Sequence, residues 1–348
     1  MVRALRDRLA AHPDIIAGAG YRLSVTTSED DHNGAPLADP LDDLLDVLDL
    51  QRAGSAKISV DAPLDDPEAD LGDSEADIFI GRSQPQPHGR AFGGQVLAQS
   101  IIAAGRTVAD IEAADGPRFI HSLHGYFLRA GDSSHPIRFA VERMRDGRSF
   151  SARRVHAIQY GKTILSMITS FQSAAEGLDH QDPMPAAPDP EALPTAAQAL
   201  AGIDHPVADF TATRRAADIR HVEGAIYIKP GAQHAARQSV WMKALRELPD
   251  DPLLHAAVLA YCSDYTLLEP ILRRHGLSWS DPRLRPASLD HAMWFHRPAR
   301  ADQWVLYTED SPSASGGRGL GVGRMFAADG TLLATVAQEG MIRVKETR

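Results

Sequence analysis

The sequence contains the same order of elements twice: a long apolar helix followed by four strand-like runs. We expect the first helix over 92–108, where a glycine pair opens a segment that is apolar on nearly all sides and must be buried. The second is expected over 250–272, with Asp251 as N-cap and Pro252 at the first helical position. The strand-like runs are 119–129, 137–145, 149–159 and 163–172 after the first helix, and 287–297, 304–310, 319–327 and 332–344 after the second.

The repeat is weak in identity but leaves one fragment in both copies. Phe-x-Arg closes the first strand after the helix at Phe127 to Arg129 and again at Phe295 to Arg297. Turn signals separate the strands of the first copy, which is typical of an antiparallel meander. One helix wrapped by an antiparallel sheet, formed twice, is the α+β architecture that this order predicts. A single large α+β sheet is the alternative that the pattern leaves open.

Four segments follow from these boundaries. Residues 1–40 combine a short helical pattern with a polar, turn-rich run, and we expect a mobile N-terminal extension. Residues 41–173 form the first half, which begins with an amphipathic helix at 41–50. Residues 174–218 are rich in proline and alanine without clear periodicity, which indicates a linker over the surface. Residues 219–348 form the second half.

Composition and charge narrow the class of protein. The chain has 348 residues, 43% of them hydrophobic, which suffices for a sizeable core in two domains. No run approaches the roughly eighteen apolar residues of a membrane span, and the N-terminal residues lack the apolar segment of a secretory signal, so we expect a cytoplasmic location. A net charge of −10 without a basic stripe argues against nucleic acid as a partner. The single Cys262 excludes an intramolecular disulfide and a thiolate metal cage.

Several long motifs indicate a family resemblance from Leu41 to the end. In the first half they are FGGQVLAQ (92–99), HSLHGYFLRAGD (121–132), RDGRSFSARRVHAIQYGK (145–162) and TSFQ (169–172). In the second half they are YCSDYTLL (261–268), ASLDHAMWFHRP (287–298) and QEGMIR (338–343). With these motifs in this order, the chain resembles the acyl-CoA thioesterase II (TesB-type) family. The resemblance implies a double hot-dog fold, hydrolysis of fatty acyl-CoA to free fatty acid and CoA, and no metal or organic cofactor.

The resemblance also implies three catalytic residues in the second half. The family's carboxylate matches Asp264, its Thr or Ser hydroxyl matches Ser288 and its amide matches Gln338. Thioester hydrolysis without a covalent intermediate needs a held water, a proton acceptor and a donor to the developing oxyanion. We expect Asp264 to accept the proton, because a carboxylate within an apolar helix is partly desolvated. Ser288 is expected to orient the water, since no Gly-x-Ser-x-Gly elbow surrounds it, and Gln338 to help hold it.

Adjacent polar residues around Ser288 invite a triad assignment. Ser288, Asp290 and His291 lie within four residues, but a triad is assembled by geometry and not by adjacency. Strand alternation sends Ser288 and Asp290 to one face and His291 to the other. We therefore do not predict a Ser-His-Asp triad here.

Two arginines are candidate partners of the CoA phosphates. Arg148 and Arg153 lie on or beside a strand of the first half, and a guanidinium binds phosphate through paired hydrogen bonds. The alternative is a solvated strand edge. Association of the chain with itself through the hot-dog sheets is left open, and the acyl chain length is not predicted.

Two rival functions remain. Asp250 and His255 fit the Asp-x-x-x-x-His spacing of hot-dog enoyl-CoA hydratases, although the Asn-Pro that follows the Asp in that signature is missing and helix capping also explains Asp250. A non-catalytic acyl-CoA-binding regulator is the other candidate, against which the intact set of Asp264, Ser288 and Gln338 argues. Release of free CoA thiol separates a thioesterase from both.

Overall fold

The computed structural model describes residues 39–58, 74–111 and 116–345. In these ranges a 13-stranded antiparallel sheet packs against two long helices. The strands are β1 (Gln51–Ile58), β2 (Ser74–Gly81), β3 (Arg118–Phe127), β4 (Ile137–Asp146), β5 (Phe150–Gln159), β6 (Lys162–Ser173), β7 (Ala217–His221), β8 (Arg237–Ala244), β9 (Leu284–Ser288), β10 (Asp290–Phe295), β11 (Val305–Ser315), β12 (Arg318–Ala327) and β13 (Leu332–Val344). The helices are α1 (Pro40–Leu48), α2 (Gly93–Ala109), α3 (Ala196–Ala199), α4 (Pro206–Thr213), α5 (Pro252–Ser263) and α6 (Glu269–Arg274), with a 3-10 turn at Pro190–Ala192.

The order of the strands shows the internal repeat. It reads β1-β2-β4-β5-β6-β3 in the first half and continues as β10-β13-β12-β11-β8-β7, with β9 paired to β13. Counted from the opposite edge of the sheet, the strands of the second half follow β7-β8-β11-β12-β13-β10, which is the same arrangement as in the first half. At the join, His124 of β3 faces Ala292 of β10, and each lies three residues before the phenylalanine of its Phe-x-Arg fragment. A two-fold relation through this pair therefore links the halves. The predicted α+β double hot-dog is confirmed, and its halves share one continuous sheet.

Helices α2 and α5 lie antiparallel at the centre of the molecule. A Cβ added to Gly94 would overlap the carbonyl oxygen of Tyr261, and one added to Gly105 would overlap the side chain of Leu253. Glycine at these two positions lets the helix backbones approach closely. Nearly every side chain between Gly94 and Val108 is buried, as the apolar sequence of α2 predicts.

The second long helix differs from the sequence prediction. Asp251 caps α5, its Oδ1 accepting from the Leu253 amide at 2.9 Å, and Pro252 begins the helix as expected. The helix does not continue to residue 272, however, because it ends at Ser263 and a separate helix α6 starts at Glu269. Pro270 begins a helix well because its ring lacks an amide hydrogen, which favours a restart over continuation. Asp264 is therefore the C-cap of α5 and not an interior residue.

The segment between the halves covers one outer surface of the sheet. Residues 174–216, all described, contain no strand. Side chains of this segment pack on the second half-sheet, opposite α5: Met184, Ala187 and Leu193 meet Trp241, Leu306 and Phe326. On the outer surface of the first half-sheet Tyr126, Phe150 and Ile168 are 63%, 46% and 43% exposed. The two halves thus differ in the covering of their outer surfaces.

At the N-terminal boundary, the expected extension over residues 1–40 lies outside the described residues except for its last two. Asp39 caps α1 with its carboxylate, and Pro40 begins that helix. The predicted amphipathic helix is present, with Leu41, Leu44 and Leu48 buried. None of the helices in the described part of the chain is both long and apolar enough to span a membrane.

Candidate active site

Helix α2 begins without a capping side chain of its own. Phe92 is its N-cap and makes no side-chain hydrogen bond to the first turn. Asp264 from the second half takes that place: the Gly94 amide donates to its carboxylate, and a Cβ added to Gly93 would lie 2.6 Å from Asp264 Oδ2. The partial positive charge at a helix N-terminus favours a carboxylate there. The two halves of the chain therefore meet at this carboxylate.

Gln338 connects Asp264 with Ser288. Ser288 ends β9 and pairs with Gly340 of β13, which places it beside Gln338 on the neighbouring strand. The Gln338 side-chain amide donates to Asp264 Oδ1 at 2.9 Å and to Ser288 Oγ at 2.7 Å. Gln338 itself is 1% exposed. The structure thus brings together the three residues that the sequence singled out.

The environment of Asp264 makes it a stronger base than an exposed aspartate. Burial raises the pKa of the Asp264 carboxyl to about 6, while hydrogen bonds from Gln338, the Gly94 amide and Ser288 lower it. A group with this pKa is mostly ionised at pH 7 and binds a proton more tightly than a carboxyl of ordinary pKa. These are the properties that a general base needs near neutral pH.

A fourth polar side chain belongs to the cluster. His291 is 1% exposed and bonds Gln338 Oε1 through Nδ1 and Ser263 Oγ through Nε2. The expectation that His291 points away from Ser288 was wrong, because both contact Gln338. Strand alternation fails here because the chain leaves β9 after Ser288 and enters β10 at Asp290. Since both ring nitrogens have other partners, His291 is not the base of a serine triad.

Aromatic rings form one wall beside the carboxylate. The ring of Phe92 stacks on Tyr265 with centroids 4.8 Å apart and meets the edge of Tyr261 at 5.1 Å. The Tyr265 hydroxyl donates to that of Tyr261, which in turn donates to Gln84. The wall is therefore apolar toward the helix N-terminus, and its hydroxyl groups are bonded within the protein.

Comparison with known proteins places this site in a family. Residues 214–341 match the family model described as acyl-CoA thioesterase, and residues 82–172 match the acyl-CoA thioesterase N-terminal domain. Acyl-coenzyme A thioesterase 8 of Homo sapiens is 40% identical over 285 residues, which are 78% of this chain and 86% of the human protein. The chain belongs to the acyl-CoA thioesterase family.

Solved structures agree on family and fold. The crystal structure of the acyl-CoA thioesterase II TesB2 from Mycobacterium marinum is 40% identical and covers 87% of this thioesterase and 99% of its own chain, with a TM-score of 0.65. A hot-dog protein of unknown function from Alicyclobacillus acidocaldarius is 18% identical, with the same coverage and a TM-score of 0.64. The second likeness concerns the fold alone.

The two arginines predicted to bind CoA phosphates have different surroundings in the thioesterase. Arg153 is 0% exposed, donates to Thr107 Oγ1 at 2.7 Å and pairs with Asp146 at 2.9 Å. Its guanidinium is therefore enclosed, and the structure does not support a phosphate-binding role for it. The alternation of β5 buries it, whereas Arg148 lies in the exposed turn before that strand. A phosphate role for Arg148 stays a prediction.

The residues that suggested a hydratase are not arranged as an acid and a base. The Asp250 side chain is 93% exposed and pairs with Arg300 at 3.0 Å. His255 is buried, and its Nδ1 accepts from the Ala301 amide. Each side chain is engaged by a different partner, so the sequence spacing does not correspond to a catalytic pair in this thioesterase.

Sequence reasoning missed the part of the site that the first half contributes. Gly93 and Gly94 were interpreted as the opening of a buried helix, although the missing side chain of Gly93 is what admits Asp264 and that of Gly94 is what admits the Tyr261 carbonyl oxygen. His291 was assigned to the wrong face. The glycine pair at a helix start without Ser, Thr, Asp or Asn before it was the available signal, because such a helix needs a cap from elsewhere. Within the described ranges, no three His, Cys, Asp or Glu side chains gather in a way that could hold a metal ion.

Proposed function

We propose that this thioesterase hydrolyses fatty acyl-CoA to free fatty acid and CoA, with Asp264 as the general base. The observation that carries the proposal is the hydrogen-bonded cluster of Asp264, Gln338 and Ser288 at the N-terminus of α2. A carboxylate of raised pKa lies there beside backbone amides, so a base and oxyanion donors are available at one place.

In the proposed reaction a water molecule is hydrogen-bonded to Asp264 and lies next to the Ser288 hydroxyl, which orients it. Asp264 takes a proton from the water as its oxygen attacks the thioester carbonyl carbon. The amides of the first turn of α2 stabilise the oxyanion, helped by the positive end of the helix dipole. The tetrahedral intermediate then expels the CoA thiolate, which takes the proton from Asp264 and so restores the carboxylate. Gln338 holds Asp264 and Ser288 in register, because its two amide hydrogens are directed to these two groups.

The aromatic wall supports a fatty acyl substrate. Phe92 and Tyr265 form apolar surface next to Asp264, backed by the buried ring of Tyr261, and the two tyrosine hydroxyls are already bonded. An alkyl chain gains free energy from such a surface in proportion to the apolar area that it removes from water.

Asp264→Asn is the direct test of the general base. The change keeps the size of the side chain and removes its ability to accept a proton, so turnover should fall by about a hundred- to ten-thousandfold while acyl-CoA binding persists. The measurements are release of free CoA thiol, a binding titration and a thermal melt. Asp251→Asn, at the other end of α5, is the matched control, since Asn also caps a helix well.

The outcomes separate the rival functions. Near wild-type turnover in folded Asp264→Asn contradicts the proposal. A hydratase would consume an enoyl double bond without thiol release, and a regulator would bind acyl-CoA without changing it. The geometry of Asp250 and His255 favours neither rival.

We further propose that two copies associate through the outer surface of the first half-sheet. Tyr126, Phe150 and Ile168 are exposed there on three strands of one surface, which is the composition of a protein interface. The cytoplasmic location stays a prediction from the sequence.

A further inference from the structure

His291 occupies a position from which it controls one bond of the catalytic cluster. It lies on β10, and Gln338 lies beside it on β13, one step beyond the pairing of Ala292 with Ala337. Nδ1 is 2.5 Å from Gln338 Oε1, and Nε2 is 3.0 Å from Ser263 Oγ. Both polar atoms of the ring are therefore bonded inside the protein.

The hydrogen-bond partners of the His291 imidazole indicate which ring nitrogen carries the proton. The side-chain amide oxygen of Gln338 can only accept, so Nδ1 carries the hydrogen, and Nε2 of a neutral ring can then only accept. The Ser263 hydroxyl lies between two acceptors, the carbonyl oxygen of Ala260 at 2.8 Å and Nε2 at 3.0 Å, and shares its one proton between them. Burial lowers the pKa of His291 to about 4, so the ring is neutral at pH 7 and holds a single proton.

The Asp264 carboxylate and this proton select the same orientation of the Gln338 amide. Rotating the Gln338 side-chain amide by half a turn would hardly change the shape of the side chain. It would, however, direct the amide oxygen to Asp264 and the amide nitrogen to the imidazole. With Nδ1 protonated, that orientation places two donors together at the ring and two acceptors together at the carboxylate. We propose that His291 is a positioning residue, which fixes the Gln338 amide so that its hydrogens serve Asp264 and Ser288. The proposal rests on the proposed function of these residues.

The first half of the chain supports the assignment by contrast. The positions that match His291 and Gln338 hold Leu123 and Thr169, which face each other on β3 and β6. Thr169 donates to the backbone carbonyl of Ser122 and holds no carboxylate. The histidine and the glutamine thus occur together only in the half that carries Asp264.

The titratable neighbours of the ring do not bind it. Asp290 precedes it on β10 and accepts from the Glu339 amide at 2.6 Å, and Tyr307 of β11 donates to the carbonyl oxygen of Ser263 at 3.4 Å. Among the described residues, Gln338 and Ser263 are the hydrogen-bond partners of the imidazole.

The first experiment replaces the donor. His291→Leu introduces the residue that the first half has at this position, and it should lower kcat by roughly ten- to a hundredfold, as loss of a supporting residue does, with little change in KM. The acid limb of kcat/KM should also move to higher pH, because a freed Gln338 no longer donates consistently to Asp264. His291→Asn keeps a donor near Nδ1 and should restore most of the activity. His255→Leu, which removes a buried histidine of α5, is the control for stability and should leave kcat and the pH profile unchanged.

The second experiment observes the proton. The chain has 15 histidines, and the ring-nitrogen NMR signals lost in His291→Leu identify those of His291 in the intact protein. We expect a neutral ring protonated at Nδ1 between pH 5.5 and about 8. A ring protonated at Nε2, or one that titrates in this range, overturns the proposal. If Asp264→Asn abolishes thiol release while His291→Leu keeps normal kcat and pH profile, the positioning role is wrong and the general base stands. Normal turnover in both variants rejects the proposed function itself.

Discussion

At Asp264, burial and three hydrogen bonds act on one carboxyl in opposite directions. Burial is the larger effect and raises the pKa to about 6, whereas Gln338, the Gly94 amide and Ser288 donate to the ionised form and lower it. The result is a base that is ionised at neutral pH and still prefers to bind a proton. The second half supplies the carboxylate, and the first half supplies the amide that stabilises it.

The pH dependence of kcat/KM follows from this balance. Asp264 must be ionised to accept a proton, so kcat/KM for acyl-CoA should be constant above pH 7 and fall by about tenfold per pH unit well below pH 6. The measurement is initial thiol release from pH 4.5 to 8, with the fold monitored by circular dichroism. A profile that stays flat to pH 5 in the folded enzyme would exclude a base of raised pKa.

Individual residues show what a sequence can and cannot predict. Asp264, Ser288 and Gln338 were predicted from motifs, because their order along the chain identifies the family. The burial of Arg153 against Thr107 was not predicted, since an arginine is usually exposed and the partner that encloses its guanidinium lies on a distant helix. Such a contact depends on the register of several strands together.

At the scale of helices, the start of α2 links the fold to catalysis. Gly93→Ala places a Cβ 2.6 Å from Asp264 Oδ2 and 3.0 Å from the ring of Phe127, so the carboxylate must move. We expect kcat to fall at least tenfold, as displacement of a catalytic group by about 1 Å costs up to a hundredfold. Thiol release and a thermal melt measure the effect.

Gly105→Ala is the matched control in the same helix. Its Cβ would overlap Cδ1 of Leu253 and lie 2.5 and 3.0 Å from Cδ2 and Cγ of that residue, so this variant disturbs the packing of α2 against α5 without touching the carboxylate. Turnover should therefore stay normal in this variant. An equal loss of kcat in both variants would mean that helix packing, and not the displaced carboxylate, explains the effect of Gly93→Ala.

The sequence pattern identified both long helices and the strands after them, but not the strands before them. Gln51 to Lys57 of β1 are all exposed, so this edge strand shows no apolar alternation. The break after Ser263 was also missed, because the apolar residues continue across it into α6. The pattern of apolar residues indicates which segments are buried. It does not show where one buried element ends and the next begins.

For the molecule as a whole, the repeat predicts one site per chain and not two. Ile120 and Thr169 occupy the first-half positions that match Ser288 and Gln338, and α2 contains no Asp or Glu. A non-hydrolysable acyl-CoA thioether should therefore bind at one molecule per chain in calorimetry. Two equivalents per chain would contradict this prediction.

Self-association is the second prediction at this scale. In sedimentation the chain should have twice its mass of 37.7 kDa. Ile168→Asp introduces a charge in the exposed patch of the first half-sheet and should give a folded monomer. Leu178→Asp is the control, because Leu178 is fully exposed on the linker, outside that patch. Ile168→Asp with an unchanged mass would place the interface elsewhere.

The linker over the second half-sheet would limit the proposed self-association of the chain. Its Met184, Ala187 and Leu193 occupy the outer surface that would otherwise match the open surface of the first half. In the proposed dimer, a face-to-face pair would use the open surface of both copies and leave none for a third, so assembly would close at two. Without the linker, each molecule would have two exposed sheet surfaces able to bind another copy. Head-to-tail stacking of such molecules would then continue into a filament, because no geometric feature would end it.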